Sequence, residues 1–395
     1  MHGLNSTAIR NKASMRSAPP DPGSVDRYPL DSVSRRTFLF GVVGLSLARS
    51  LFRIGVAGKQ EPPITLPSAP FSRAFNFANL NSWITPTSEF FVRSHFGVPS
   101  AEVARWAVSV TGDVERERAF PVENLLRLPR LEATVTLECA GNPVGWGGVS
   151  NAKWTGVRLS ALLESAGVKS GAKEVALLGA DGGPEREAGG VHVDAYGRSI
   201  PLSKAMDGET MLAYRMNDEP LPDIHGGPLR VIVPGYYGMD SVKWVKQIVV
   251  TTQPFRGWHQ LNRYYEERRV GRSIERRPLG AMRVKSQIAR PLRNEVLNRG
   301  SVSIVGAAWC GDADISRVEL SFDGGKSWKE TTLGPQHDSR AWRLWSFQWL
   351  ATAGRYEIIA RATDSLGRAQ PLEREPTVLT PYANSWCDRR TVVIK

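Results

Sequence analysis

The stretch Thr136-Leu137-Glu138-Cys139-Ala140-Gly141-Asn142 sets the reading of this chain. Alternation through Thr134-Val135-Thr136-Leu137 predicts a strand, and a turn of small residues follows it, which leaves Cys139 at the strand's end. A lone thiolate in such a place is a soft metal ligand. The chain has three cysteines, and Cys310 and Cys387 stand far downstream in a segment that reads as a separate domain. Cys139 therefore has no evident disulfide partner. By itself it reads either as a small buried hydrophobe or as a single sulfur donor to a metal.

The sequence around it narrows the choice. Downstream stand Asn151-Ala152-Lys153-Trp154-Thr155-Gly156-Val157, then Met211-Leu212-Ala213-Tyr214-Arg215-Met216-Asn217, then His225-Gly226-Gly227-Pro228-Leu229-Arg230-Val231-Ile232-Val233-Pro234-Gly235, then Ser241-Val242-Lys243-Trp244. With the cysteine turn, and in this order, these blocks resemble the sulfite oxidase family of molybdenum enzymes over nearly the whole mature chain. In that family a Cys-Ala-Gly-Asn turn presents one thiolate to a molybdenum atom that also carries a pterin dithiolene. The dithiolene adds two more sulfurs, so no multi-cysteine signature is needed. His/Cys zinc spacings are absent, and no zinc site is predicted.

The resemblance implies a cofactor, molybdenum-molybdopterin, and a set of residues that hold it. Cys139 is the metal ligand. In Phe91-Val92-Arg93-Ser94-His95, Arg93 stands near the metal and His95 at the pterin, while His225, Arg230, Ser241 and Lys243 hold the pterin and its phosphate, an anion that needs cationic or N–H donors. Taken alone, His225 would read as a loop cap and Arg230 as half of a surface ion pair. In Trp258-His259-Gln260-Leu261-Asn262-Arg263-Tyr264-Tyr265 the spacing from Gln260 favours Tyr264 over Tyr265 as the catalytic tyrosine facing the metal's oxygen.

Two departures bear on the substrate. Sulfite oxidases bind their dianion with clustered arginines, one of them shortly after the cysteine turn. Here Asn142 is followed by Pro143-Val144-Gly145-Trp146. A second arginine is expected before the last Asn-x-Trp block, where this chain has Thr377-Val378-Leu379-Thr380-Pro381-Tyr382 ahead of Asn384-Ser385-Trp386. Arg93 is then left to face the substrate. Each charge-assisted bond lost from a desolvated anion is worth roughly 1.5–3 kcal/mol, so a substrate other than sulfite is a live reading.

At 395 residues the chain suits two domains behind a leader. Ser34-Arg35-Arg36-Thr37-Phe38-Leu39-Phe40 and the apolar run Gly41–Ala48 look like a twin-arginine export signal, so residues 1–59 are read as leader and linker and the protein as periplasmic, exported folded with its cofactor inserted. The apolar run is too short to span a bilayer as a helix, which needs about 20 residues. No permanent membrane span is expected. The Pro-rich Glu61-Pro62-Pro63-Ile64-Thr65-Leu66-Pro67 reads as an extended linker.

Residues 60–283 are expected to form a mixed, β-rich molybdopterin-binding catalytic domain, with strands at Trp106–Val110 and Thr134–Leu137 and short helices at Leu159–Ala166 and Ser203–Met206. Residues 284–395 carry period-two strands at Val284–Ile288, Ser301–Trp309, Val318–Phe322, Trp342–Phe347 and Tyr356–Ala362, with a hairpin turn at Asp323-Gly324-Gly325, and read as a β-sandwich. This segment resembles the immunoglobulin-like dimerisation domain of the molybdenum oxidoreductases, which implies a homodimer. The fold class is α+β, rich in strand. Cys310 and Cys387, each just after a tryptophan, could pair in an oxidising compartment or remain inert thiols.

The formal net charge is +12, but residues 1–59 hold nine Lys or Arg against three Asp, and the remainder has 42 basic and 36 acidic residues. The basic run Arg263–Arg277 is interrupted by Glu266, Glu267 and Glu275, which reads as solvated surface or as a patch that steers an acidic redox partner. There is no nucleic-acid motif. There is also no Cys-x-x-Cys-His haem motif, so a separate c-type cytochrome is the expected acceptor. The leading functional expectation is two-electron oxidation of sulfite or a related sulfur compound. Reduction of a sulfoxide or similar oxide is the alternative within the cofactor class, and a secreted binding protein with a degenerate first domain is the alternative outside it.

Overall fold

The strand Arg130–Glu138 ends on the cysteine turn and forms one edge of a five-stranded sheet. Its partner is Val149–Arg158, which pairs in turn with Met211–Met216, and that strand also carries Glu219–Pro220 and Arg230–Ile232, all antiparallel. The central strand is buried along almost its whole length because both its faces are covered. At Gly156 the register shifts, and a Cβ there would lie 2.1 Å from the Leu212 carbonyl oxygen. Only glycine lets the two backbones pass so closely.

This computed structural model describes residues 71–100, 105–187 and 190–395. The twin-arginine segment and the Pro-rich linker expected before residue 71 lie outside the described residues. Pro63–Lys395 form one compact unit.

A second five-stranded sheet runs in the order Arg118–Pro121, Ala107–Gly112, Val245–Thr251, Glu174–Glu187, Gly190–Pro201, with one parallel pair between Ala107–Gly112 and Val245–Thr251. Val108 and Val110 alternate inward, as period-two patterning requires. Between the sheets lies the helix Leu159–Ala166, whose Leu159, Leu162, Leu163 and Ala166 are buried at helical spacing. It stops at Gly167, which adopts φ +73° and returns its N–H to Leu163 and Glu164. The second expected helix lies at Leu202–Ala205.

From Lys285 onward the strands form two facing sheets, Lys285–Arg290, Gly300–Trp309, Arg343–Ala351 and Thr332–Leu333 against Glu295–Leu297, Asp388–Ile394, Gly354–Asp364, Ile315–Ser321 and Lys329–Glu330. This is an immunoglobulin-like β-sandwich. Its core contains Ile288, Ile304, Val318, Leu320, Trp345 and Ile358. The expected tight turn at Asp323-Gly324-Gly325 is a longer loop, because the strand re-pairs only at Lys329. The Asp323 carboxylate gathers that loop, accepting from Ser321 Oγ at 2.7 Å, from the Lys326 and Ser327 N–H groups at 3.0 Å and from Ser327 Oγ at 2.6 Å. Cys310 and Cys387 are both buried and both free.

The sandwich touches the cysteine sheet along its edge. Thr136 N–H donates to the Arg340 carbonyl at 3.0 Å, and Trp342 N–H to Thr136 Oγ1 at 2.7 Å. Trp309 and Trp342 pack into the first core rather than the sandwich's own. Most consequential is Glu138, next to the cysteine. Its Oε1 accepts from Lys285 Nζ at 2.7 Å and Asn142 Nδ2 at 2.9 Å, and its Oε2 from Trp309 Nε1 at 2.8 Å. Both ends of the ion pair are 1–2% exposed.

Removing one member of such a pair strands the other charge in the interior. Lys285→Met is expected to lower unfolding stability by about 3–5 kcal/mol, read from the chemical denaturation midpoint. The double variant Glu138→Gln/Lys285→Met should recover part of that loss, and a wild-type midpoint in the single variant would contradict the buried pair.

Candidate active site

Cys139 is held in place before any ligand is considered. Its N–H donates to the Gly148 carbonyl at 2.8 Å, and its carbonyl accepts from Asn142 N–H at 2.8 Å, closing the turn. Asn142 Oδ1 accepts from Gly148 N–H at 3.0 Å and so ties the turn to the next strand. The thiol opens on a cavity that leaves it partly exposed, yet the surrounding protein raises its pKa by desolvation, against the opposing Gly141 hydrogen bond and Arg93 charge. It rests as a neutral thiol, and a bound cation is what would hold it as thiolate.

The space between its walls that protein atoms do not fill is about 680 Å³, the open mouth included. All eight residues expected from the sequence line it: Arg93, His95, Cys139, His225, Arg230, Ser241, Lys243 and Tyr264. Tyr265 lies outside, under the Arg276 guanidinium at 3.8 Å.

Arg230 sits at the buried end. Its guanidinium donates to the His225 and Ser241 carbonyls at 2.9 and 2.8 Å and lies 5.0 Å from the centre of the Trp154 ring, while its Nε has no partner. Burial lowers its pKa to about 9, so it stays cationic at neutral pH. Lys243 Nζ bonds Ser94 Oγ. Burial, and then the Arg230 charge, lower the Lys243 pKa to about 7. The left-handed Gly226, at φ +105°, lets these two side chains approach, since a Cβ there would lie 2.9 Å from that of Lys243 and 3.1 Å from that of Arg230. His225 Nε2 donates to the Thr87 carbonyl at 3.2 Å, and burial and Arg230 bring its pKa down to about 3, leaving it neutral. Ser241 Oγ accepts from Val233 N–H at 3.1 Å. Arg93, on a short strand paired with Phe71–Arg73, donates to Ser72 Oγ at 3.2 Å.

On the other wall Tyr264 follows the short π-helix His259–Arg263. The fully buried Arg198 fixes that segment, donating to Asp240 at 2.8 Å and to the carbonyls of His259 and Leu279 at 2.9 and 3.0 Å. The Tyr264 hydroxyl meets His95 Nε2 at 2.7 Å, and His95 Nδ1 meets Glu185 Oε1 at 2.6 Å. Both ring nitrogens of His95 are therefore engaged within the protein, and it presents ring edge and face to the cavity. Tyr196 stacks on it, with ring centroids 5.5 Å apart.

Sequence reasoning missed Asp181, Glu185, Tyr196 and Arg198. Asp181 lines the cavity with Oδ1 unpartnered, and burial raises its pKa to about 6 against the Lys243 charge. The Tyr382 ring from the sandwich lies 5.3 Å from that of Tyr264 and would meet a Cβ on Gly141 at 3.7 Å, while Ala383 N–H donates to the Ala140 carbonyl at 2.8 Å. A neutral aromatic thus stands where an arginine was expected.

Residues 95–259 match the family described as the oxidoreductase molybdopterin binding domain, and residues 276–394 the Mo-co oxidoreductase dimerisation domain. The sulfite oxidase of Gallus gallus is 32% identical over 325 residues, covering 73% of this chain and 68% of that protein. The chain belongs to the sulfite oxidase family. The mitochondrial sulfite oxidase of Homo sapiens is 35% identical over 328 residues, and the chain spans 58% of its length. Inducible nitrate reductase [NADH] 2 of Glycine max is 32% identical over 361 residues, 40% of its length. Among solved structures, the sulfane dehydrogenase SoxCD from Paracoccus pantotrophus superposes with a TM-score of 0.72 at 28% identity, covering 85% of this chain and 86% of that one.

The family's cofactor is molybdenum-molybdopterin, and the cavity fits it. Among the described residues that line it, Arg93 and Arg230 carry guanidinium groups, Lys243 is an amine that charges readily beside an anion, and Asp181 is the one carboxylic acid. That excess of positive charge, with Arg230 Nε orphaned, calls for an anion such as the pterin phosphate. The orphaned Asp181 oxygen calls for a donor, and a pterin ring carries N–H groups. Cys139 supplies the single sulfur.

Between about pH 7 and the ordinary lysine value the unfolded chain binds a proton at residue 243 that the folded chain does not, so this group's contribution to stability rises with pH across that window. In protein prepared without cofactor, Lys243→Met is expected to stabilise the fold at pH 6, on the order of 2 kcal/mol, with the gain shrinking toward pH 10. Denaturation midpoints across that range check it.

Proposed function

We propose that this chain is an exported molybdenum oxidoreductase that transfers an oxygen atom to sulfite or a related sulfur compound and passes two electrons, one at a time, to a separate c-type cytochrome. The observation that carries the reading is Cys139 on the floor of a cavity whose cations and orphaned polar atoms match an anionic pterin cofactor. The relatives named as sulfite oxidases and the structural neighbour named as a sulfane dehydrogenase support sulfur as the substrate element. The dimerisation domain supports a homodimer, and the twin-arginine segment supports a periplasmic site of action. Among the described residues no helix is long and apolar enough to cross a membrane.

When bound, the cofactor supplies a metal that cycles between states two electrons apart. The protein's own residues bind, orient and discharge. Arg93 offers a guanidinium to an incoming anion. Tyr264 places a hydroxyl at the cavity wall with His95 behind it, and Tyr196, Phe91 and Met239 restrict water. Arg230 and Lys243 would hold the anionic end of the pterin.

The substrate side is less cationic than a dianion favours, because Tyr382 and the Pro143–Trp146 segment supply no charge. That favours a less charged sulfur compound. Relatives named as nitrate reductases keep reduction of an oxide as the second reading.

Protein from a molybdate-fed host is expected to carry about one molybdenum per chain by elemental analysis, and Cys139→Ala less than a tenth of that. With sulfite as donor, metal-replete wild type should reduce ferricyanide or cytochrome c. Absence of turnover with every sulfur donor would refute the sulfur-oxidation reading. Tyr382→Arg should lower the KM for sulfite roughly tenfold, the equivalent of one restored charge-assisted bond. An unchanged KM would show that Tyr382 does not face the substrate.

A further inference from the structure

Behind the cavity wall stands a carboxylate that is not part of the lining. Glu185 lies on the long strand Glu174–Glu187 and is 8% exposed. Its Oε1 meets His95 Nδ1 at 2.6 Å and approaches His259 Nε2 at 3.4 Å, and its Oε2 accepts from Arg263 at 3.2 Å. The Arg263 guanidinium and the His95 and His259 rings around this buried carboxylate keep it ionised. It therefore accepts from His95, which places the ring proton on Nδ1 and leaves Nε2 bare. The 2.7 Å contact from Nε2 to Tyr264 then has one polarity, with the phenol donating. Burial keeps His95 neutral at rest, its pKa down to about 3.

We propose that Glu185 is the positioning residue of a buried relay, Glu185–His95–Tyr264, that takes up a proton from the cavity during turnover and gives it back to solvent as the product leaves. The proposal rests on the oxygen-transfer reading above. Oxidation of a sulfur compound X by water follows X + H2O → XO + 2H⁺ + 2e⁻, with the electrons leaving to a one-electron acceptor such as ferricyanide or a cytochrome. One of the two protons leaves directly to water and the other needs a base at the site. Tyr264 passes its hydroxyl proton to His95 Nε2 as its oxygen takes one from the cavity side, and the imidazolium formed is stabilised by Glu185. As the product leaves, His95 returns the Nε2 proton through Tyr264 to the entering water, which restores the Nδ1–H tautomer.

The groups that face His95 fit a carrier. Glu185 favours its charged form, while Arg93, on the short strand just before it, and Arg263, the last residue of the π-helix, oppose it. Tyr196, His259 and Tyr264 pack against the ring. The proton is held briefly rather than stored. His95, Glu185 and His259 also bring three donor atoms within 4.8 Å of one another, but a cation among them would face the Arg263 guanidinium.

The test uses metal-replete protein and two readouts. Nitrogen NMR of histidine-labelled protein, with His95 assigned by the loss of its signals in His95→Gln, should show a protonated Nδ1 and a bare Nε2. A protonated Nε2 would overturn the proposal without any variant of Glu185. Per bound molybdenum, Glu185→Gln should lower kcat at least tenfold with KM within twofold, and raise the solvent deuterium isotope effect above that of wild type. Glu185→Asp should recover part of the rate. An unchanged kcat and isotope effect in Glu185→Gln would sink the relay while leaving the oxygen-transfer reading intact. Wild type that carries molybdenum but oxidises no sulfur compound would sink both, and its His95 tautomer would still report whether the hydrogen-bond chain exists.

Discussion

The Glu138 carboxylate is the constraint on which the site depends. It lies out of water, directly before Cys139, and is stable there only because each oxygen has a donor: Lys285 and Asn142 on one, Trp309 on the other. A buried charge with unmet lone pairs is costly, and the interior strengthens every bond that meets them. Two of the three donors come from the sandwich. The second domain is thus part of the foundation of the first domain's cysteine turn, and the backbone pairing of Thr136 with Arg340 and of Ala140 with Ala383 extends the same support along the strand.

The rest of the cavity is arranged as if in wait for an anion. Arg230 is buried and Lys243 half-buried near it; burial lowers both pKa values, and the Arg230 charge lowers that of Lys243 further. Negative charge brought into that space is favoured by both side chains, which would contribute to the affinity for a pterin phosphate. Ligand binding and fold stability are then linked through the same side chains.

Much of this was legible in the sequence because it is local. Cys139 through Asn142 is a contiguous turn, the helix at Leu159–Ala166 shows apolar spacing, and the sandwich strands alternate visibly. Arg93, His95, His225, Arg230, Ser241, Lys243 and Tyr264 were read by resemblance, and the fold brings them to one cavity. What escaped had no local signature. Asp181 and Glu185 are single acids in a long strand that contains Gly182 and Gly183, and nothing in that stretch tells which carboxylate turns inward. Arg198 is one cation in an edge strand, and its burial depends on the carbonyls of residues some sixty positions away. The Asp323 loop failed differently. Asp-Gly promotes tight hairpins, but here the carboxylate found enough donors in Ser321, Lys326 and Ser327 to close a wider loop.

The segment that carries Tyr382 belongs to the sandwich by sequence and packs against the first domain. Its ring meets that of Tyr264, and Ala383 is stitched to the turn beside the cysteine. The surroundings of a cavity-lining tyrosine are therefore shared with a module outside the molybdopterin-binding domain. Exchange of this one C-terminal segment among related proteins would change the polarity next to Tyr264 and leave Cys139 undisturbed, a route by which one scaffold acquires several diets.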